Sequence, residues 1–286
     1  MLIAFKLKIA LVAAAGFVGP IALAPLALPT HHPLNDAHEM VVLQAGDVAY
    51  RAAGDFTQNG KQAAAPMIQA RQPRALAIMK RQVSSADYKL CVEEGGCAAA
   101  ATAPARDRPA VRISWYDAQA YADWLSRKTG DHYRLPSDQE WAFAAGARFK
   151  DDGLPLDAAD PSVRWLARYQ AESARIAADA EPRPFGHFGA NEHGLLDLAG
   201  NVWEWTTTCF VRTRLDAAGQ AVGAHANCGV RVVEGQHRAY VTDFIRDAKA
   251  GGCAAGVPPA NLGFRLVREP NSWFSRVRQR IARAAP

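Results

Sequence analysis

The sequence predicts one α+β domain, irregular and loop-rich, running from about residue 35 to 270. Three observations predict it. Two well-signalled helices lie mid-chain, opening after Ser114 and after Ser137. Short strand-like runs flank them, at 39–50 and 74–83 and again at 229–233, 239–241 and 261–267. The pattern has no long alternation of helix and strand, no internal repeat and no interior linker, which sets aside parallel α/β and solenoid architectures.

Taken in order, residues 39–50 read as two short strands around the turn Ala45-Gly46-Asp47. Residues 51–72 are polar and read as loop. A strand candidate follows from Arg74 to Val83. Ser85 is placed to cap a short helix over 86–94, whose apolar contacts are Tyr88, Leu90 and Cys91 and whose stop is Gly95-Gly96. Residues 98–106, almost all Ala with Thr and Pro, read as surface loop. After Ser114, Ala118, Tyr121, Ala122 and Leu125 recur at helical spacing until Gly130; Ser114 with Asp117 is a weaker relative of the capping box. Ser137 and Glu140 form the full box for the next helix, whose apolar face begins at Trp141 and Ala144. The pattern then weakens into loops through 190, with helix suggested over 164–178, and 206–227 reads as a polar insertion. The run 273–284 sets Trp273, Phe274, Val277 and Ile281 against four arginines. It reads as a terminal helix packed on the domain or as one facing an anionic membrane.

A chain of 286 residues, 49% hydrophobic and 21% charged, is of ordinary globular composition. Much of its +5 charge sits in the acid-free basic tail 271–286, and no nucleic-acid reader motif is present, so nucleic acid is not expected as a partner. Lys6 and Lys8 precede an apolar run to about Leu28, the pattern of a secretory signal peptide over 1–30 or, uncleaved, of an N-terminal anchor. Export to the periplasm or beyond is the expectation, and five cysteines fit an oxidising compartment. Cys91 with Cys97, and Cys209 with Cys228, are the preferred disulfides, leaving Cys253 odd.

The densest stretch is Gly194-Leu-Leu-Asp-Leu-Ala-Gly-Asn-Val-Trp-Glu-Trp205. On an extended backbone Trp203 and Trp205 face one way and Glu204 the other. Asp197 and Glu204, with backbone carbonyls between them, offer oxygens to a hard cation. Spacing alone favours a blander reading, a tight turn feeding a core strand with Glu204 as a buried structural acid.

Five blocks in order resemble the formylglycine-generating enzyme family, also called the sulfatase-modifying-factor domain. They are Met40-Val-Val-Leu-Gln-Ala-Gly46, Val111-Arg-Ile-Ser-Trp-Tyr-Asp-Ala-Gln-Ala-Tyr-Ala-Asp-Trp-Leu125, Tyr133-Arg-Leu-Pro-Ser-Asp-Gln-Glu-Trp-Ala-Phe-Ala-Ala-Gly146, Asn191-Glu-His-Gly-Leu-Leu-Asp-Leu-Ala-Gly-Asn-Val-Trp-Glu-Trp205 and Asn261-Leu-Gly-Phe-Arg265. The resemblance implies an irregular α+β fold related to C-type lectins. It also implies a structural calcium held by the Asp197 and Glu204 side chains and the Gly200 and Val202 carbonyls. A second calcium, known in some members, has no convincing ligand pattern in 165–180. The family's chemistry uses two cysteines five residues apart to bind copper and activate oxygen. Here those positions fall on His237 and Thr242 in one register and on Tyr240 and Ile245 in another, so copper is not expected.

Two functions follow as expectations. One is an exported accessory or maturation factor acting on a peptide or protein, like family members associated with pigment-siderophore maturation and nitrite-reductase operons; His237, Tyr240 and Asp243 are its candidate proton-transfer groups. The other is a non-enzymatic module that binds a peptide or protein on a lectin-like scaffold.

Overall fold

The computed structural model describes residues 38–100, 103–151, 181–246 and 261–270. In chain order the strands and helices are β1 (Met40–Leu43), β2 (Gly46–Arg51), β3 (Asp55–Gln58), β4 (Lys61–Ala63), β5 (Met67–Gln72) and β6 (Leu76–Met79). Then come α1 (Ser85–Glu93), α2 (Trp115–Thr129), β7 (His132–Arg134) and α3 (Asp138–Ala145). The chain closes with β8 (Trp203–Leu215), β9 (Ala221–Glu234), β10 (Ala239–Thr242), β11 (Leu262–Gly263) and β12 (Val267–Glu269). The architecture is α+β, as expected. The signal or anchor at 1–30, the helix at 164–178, the basic tail and Cys253 all lie outside the described residues.

The helices obey their local signals. Ser114 and Ser137 each accept from the third helical N–H, and Asp117 and Glu140 reach back to complete both capping boxes. The Ser114 pair, read from sequence as a weaker relative, is thus a full box. Gly130 ends α2 in the left-handed conformation (φ 81°). For α1 the cap is Ser84 rather than Ser85, because it is the Ser84 side chain that accepts from Asp87 N–H.

The strands obey longer-range pairing. β1 and β2 are both present, but they belong to different sheets instead of forming a hairpin. β1 joins the antiparallel sheet β1-β6-β12-β7, while β2 pairs only with β5. Residues 51–72, read from sequence as loop, contain β3, β4 and β5. Their exposed faces carry too little hydrophobic alternation to signal a strand. The polar 206–227 segment is likewise no loop. It is the outer half of a long β8–β9 hairpin in the sheet β10-β9-β8-β3-β4, to which β11 adds in parallel beside β8. The expected final strand is split into β11 and β12 by the turn that carries Phe264 and Arg265.

Two apolar clusters sandwich β8. Tyr121, Leu125, Trp205, Val233 and Phe264 form the larger one under α1 and α2. Trp141, Ile78, Leu195 and Leu198 form the second, between α3 and the four-stranded sheet. As parity predicts, Trp203 and Trp205 pack with the first cluster, while Glu204 turns to Trp141 in the second. Both preferred disulfides are formed, Cys91–Cys97 after α1 and Cys209–Cys228 at the hairpin base.

Candidate functional site

The loop feeding β8 is a run of left-handed residues, with Asp197, Ala199 and Asn201 at φ 56°, 59° and 64°. Holding three such residues costs of order 1–3 kcal/mol each, so something must pin the loop. Asp197 is one pin. It is fully buried, and its two carboxylate oxygens accept from Gly186 N–H (2.7 Å) and Phe188 N–H (2.8 Å). The Phe188 ring in turn covers Gly200, where a Cβ would lie 2.7 Å from Cγ of that ring. Glu204 is the other pin. Its Oε1 accepts from Gln82 Nε2 (2.7 Å) and Arg265 Nη2 (2.7 Å), its Oε2 from Trp141 Nε1 (2.9 Å) and Arg265 Nε (2.6 Å). Arg265, itself fully buried, also donates to the carbonyls of Leu196, Met79 and Lys80.

Tested against the calcium that the resemblance implies, these residues as placed do not fit it. A carboxylate has about four lone-pair sites, and all four of Glu204 are taken by internal donors, two of them from one guanidinium. Both Asp197 oxygens are engaged, and the Gly200 carbonyl accepts from Val202 N–H at 2.8 Å. Val202 itself is buried in the same turn. Among the described side chains around it, one buried acceptor has no partner, Gln82 Oε1, where calcium needs six to eight oxygens. Arg265 supplies the positive charge at the centre.

The candidate proton-transfer groups are not brought together. His237 Nδ1 lies 2.7 Å from the Arg238 carbonyl, which makes that nitrogen the donor, and its ring stands edge-on to Trp203 at 5.7 Å. Trp203 lies over Gly235, where a Cβ would come within 2.8 Å of the indole. Tyr240 has other neighbours, its ring against Phe210 and its hydroxyl accepting from Gly54 N–H at 2.8 Å. Gly54 has φ 114° and passes so close to Val211 that a Cβ would sit 2.1 Å from the Val211 carbonyl.

Asp243 alone enters a cluster that has chemistry. Residues 242–246 are clamped on the first turn of α2. Trp115 N–H donates to the Asp243 carbonyl, the Tyr116 hydroxyl donates to Asp243 Oδ2 (2.9 Å), and Arg246 holds Asp117 through two 2.7 Å bonds. Beside them Arg231 stacks on the Trp115 ring at 4.0 Å and donates from Nη1 to the Thr207 carbonyl (2.9 Å). Its Nε is buried with no partner. The hydrogen bond to Asp243 raises the Tyr116 pKa, so the phenol is a donor and not a base at neutral pH. Tyr116, bonded to Asp243, and Phe244, the next residue in the chain, are 55% and 67% exposed, so two aromatic side chains reach the surface on either side of this bond. Sequence reasoning singled out Asp243 but not Arg231 or Tyr116, since only the fold brings α2 to β9.

A second buried cluster was also missed. Glu234, Asp138 and Arg238 are all nearly inaccessible; Arg238 Nε donates to Glu234 Oε1 (3.0 Å) and Asp138 Oδ1 (3.1 Å). Burial first, then the hydrogen bond to Asp138, pushes the Glu234 carboxyl well above its ordinary range, while Arg238 opposes this. One guanidinium faces two carboxylates here, at 3.0 Å from each. The cluster's four-residue Glu–Arg spacing is visible in the sequence, but Asp138 lies about a hundred residues away.

Four of the five cysteines are paired in disulfides, none of them within 231–246. Among the described residues no three His, Cys, Asp or Glu side chains gather as a metal site, and no helix is long and apolar enough to cross a membrane.

The chain is 36% identical over 185 residues to the formylglycine-generating enzyme of Mycobacterium tuberculosis, covering 57% of this chain and 58% of that one. It is 31% identical over 175 residues to a Mus musculus protein named inactive C-alpha-formylglycine-generating enzyme 2, covering 56% and 48%. A shorter match, 33% over 111 residues, links it to the hercynine oxygenase of Mycolicibacterium smegmatis, covering 36% and 22%. The chain thus spans about half the length, or less, of these relatives. The solved structure of PvdO from Pseudomonas aeruginosa has the same fold, with a TM-score of 0.51 and 22% identity over 81% of this chain and 94% of that one. The family model for the sulfatase-modifying factor enzyme 1-like domain matches residues 26–270, which agrees with the resemblance read from the five sequence blocks. The chain belongs to the sulfatase-modifying factor enzyme 1-like domain family.

Proposed function

We propose that this protein is an exported accessory or maturation factor that acts on a peptide or protein without generating formylglycine. The observation that carries the reading is the cysteine inventory. The family's oxygen chemistry needs two thiolates five residues apart, and here both registers of that site hold other residues, Tyr240 with Ile245 or His237 with Thr242. Four cysteines are consumed as disulfides, so only Cys253 is left to supply a thiolate. Two soft ligands are what a copper(I) site requires, and copper is therefore no part of this reading. The existence of a relative named as inactive is in keeping with it. The disulfides and the N-terminal pattern support export, with membrane association through the N-terminal segment or the basic tail.

The recognition surface in this reading is the Trp115–Tyr116–Arg231–Asp243–Phe244 cluster. Exposed aromatics beside an arginine are the composition of binding hot spots. The unanswered buried Nε of Arg231 costs about 1–3 kcal/mol, which a peptide carbonyl or carboxylate reaching it would recover. These exposed aromatic side chains favour recognition over catalysis, and so lend weight to the second reading, a pure binding module. The purified protein is mixed with a Cys-x-Pro-x-Arg peptide, oxygen, reductant and copper, and aldehyde is scored by mass spectrometry. No aldehyde is expected, and its appearance overturns the proposal. A peptide array probed with the parent and with Arg231→Ala is expected to lose spots in the variant; identical arrays remove this cluster from the reading.

A further inference from the structure

We infer that the outer edge of β9, together with the basic groove on the adjoining sheet face, docks an extended acidic peptide. β10 covers β9 only along Val230–Val233, and the Asp243 N–H to Gly229 carbonyl bond closes the last rung. From Gly229 back to Ala221 the edge has no strand beside it among the described residues, and all nine residues are exposed. A bare edge of this length is a template for strand addition, and proteins guard such edges with proline, lysine or a bulge. The segment Ala221-Val-Gly-Ala-His-Ala-Asn-Cys-Gly229 contains neither proline nor lysine, and its register shifts against β8 fall at its two ends, leaving Gly223–Asn227 in continuous register.

The strip is also preorganised. β8 pairs along it from Phe210 to Leu215, the Cys209–Cys228 disulfide ties its base, and Asp216 Oδ1 closes its turn by accepting from Ala218 and Gln220 N–H. A partner strand therefore adds main-chain hydrogen bonds without the hairpin first losing conformational entropy.

Charge selects the partner. The register sets Arg212 opposite His225 and Arg214 opposite Gly223, with Asp55 of β3 beside Arg212, so these side chains share one face. They line a groove of about 410 Å³, opened by the missing side chain of Gly223. Arg212 is 75% exposed and its carboxylate neighbour Asp55 stands 4.0 Å away; Arg214 donates no hydrogen bond among the described residues. Two guanidiniums and an imidazole face one carboxylate. A peptide with Glu or Asp at every second position turns its acids to this face. The strip lies on the hairpin, so it stands whether or not the Arg231 cluster binds anything.

The test is fluorescence anisotropy on the full chain with a labelled peptide alternating Glu and Val, and its Lys and Val counterpart, with hydrogen exchange on the same samples. The Glu peptide is expected to bind and the Lys peptide not. Arg212→Glu with Arg214→Glu weakens binding about tenfold or more at an unchanged melting temperature, and amides in 221–229 gain protection. Absence of binding, equal binding of the Lys peptide, protection confined to other segments, or self-association through 221–229 each overturns the inference.

Discussion

The Glu204–Arg265 pair offers the sharpest test of what holds this fold together. Both side chains are inaccessible, and Arg265 touches every piece that frames the left-handed loop: β6 through Met79 and Lys80, the loop through Leu196, and β8 through Glu204. Arg265→Met leaves an ionised Glu204 in an apolar core with Trp141 and Gln82 as its remaining donors. Removing one partner of a buried pair costs about 3–5 kcal/mol. At about 2–4 °C per kcal/mol for a domain of this size, the melting temperature falls by roughly 6–20 °C. Glu204→Leu combined with Arg265→Met is expected to lose less than the sum of the single changes, because an apolar pair leaves no orphaned charge. Urea titration of the four proteins with calcium or with chelator is the assay. Calcium at a hundred times its dissociation constant would add about 2.7 kcal/mol if the loop bound it. With Arg265 in the cation's place, added calcium leaves the wild-type midpoint unmoved. A loss under about 1 kcal/mol for Arg265→Met, or a calcium-dependent gain that vanishes in Glu204→Leu, refutes the reasoning.

Two further outcomes follow from the ion pairs. Burial raises the Glu140 pKa, but its paired bonds from Arg134 and its capping bonds at Ser137 outweigh that and hold it below the ordinary 4.5. Its contribution is therefore present above that value and lost as pH falls through the depressed one. Glu140→Gln should cost about 2 kcal/mol at neutral pH, with the gap closing in acid; a gap that does not change with pH in urea titrations contradicts the assignment. Glu234 has the opposite sign. Its folded pKa is raised, so stability is full below the unfolded value and is lost as pH rises toward the folded one. Glu234→Gln should flatten that decline as pH rises above the ordinary carboxylate range, and parallel stability curves for parent and variant would contradict the assignment.

How much of this was legible beforehand depended on the range of each interaction. Ser114 with Asp117, Ser137 with Glu140 and the stop at Gly130 act within one helical turn, so α2 and α3 could be read residue by residue. The alternation of Trp203, Glu204 and Trp205 is as local, and the two short disulfide loops nearly so. Strands β3 to β5 and the outer half of the β8–β9 hairpin are polar and exposed. They exist because a partner strand answers their backbone groups, and such pairing leaves little hydrophobic signature.

The sequence by itself determined the fold class, the starts of α2 and α3, the family and the lack of a cysteine pair within 231–246, since each rests on residue identity at short range. Only the tertiary structure decided what Glu204 faces. An acid with carbonyls around it suits a cation, and here Glu204 meets the guanidinium of Arg265, sixty-one positions along the chain. It likewise decided that His237, Tyr240 and Asp243 part company, because His237 turns to Trp203 and the Arg238 carbonyl, Tyr240 to Phe210 and Gly54, and Asp243 to Tyr116 of α2.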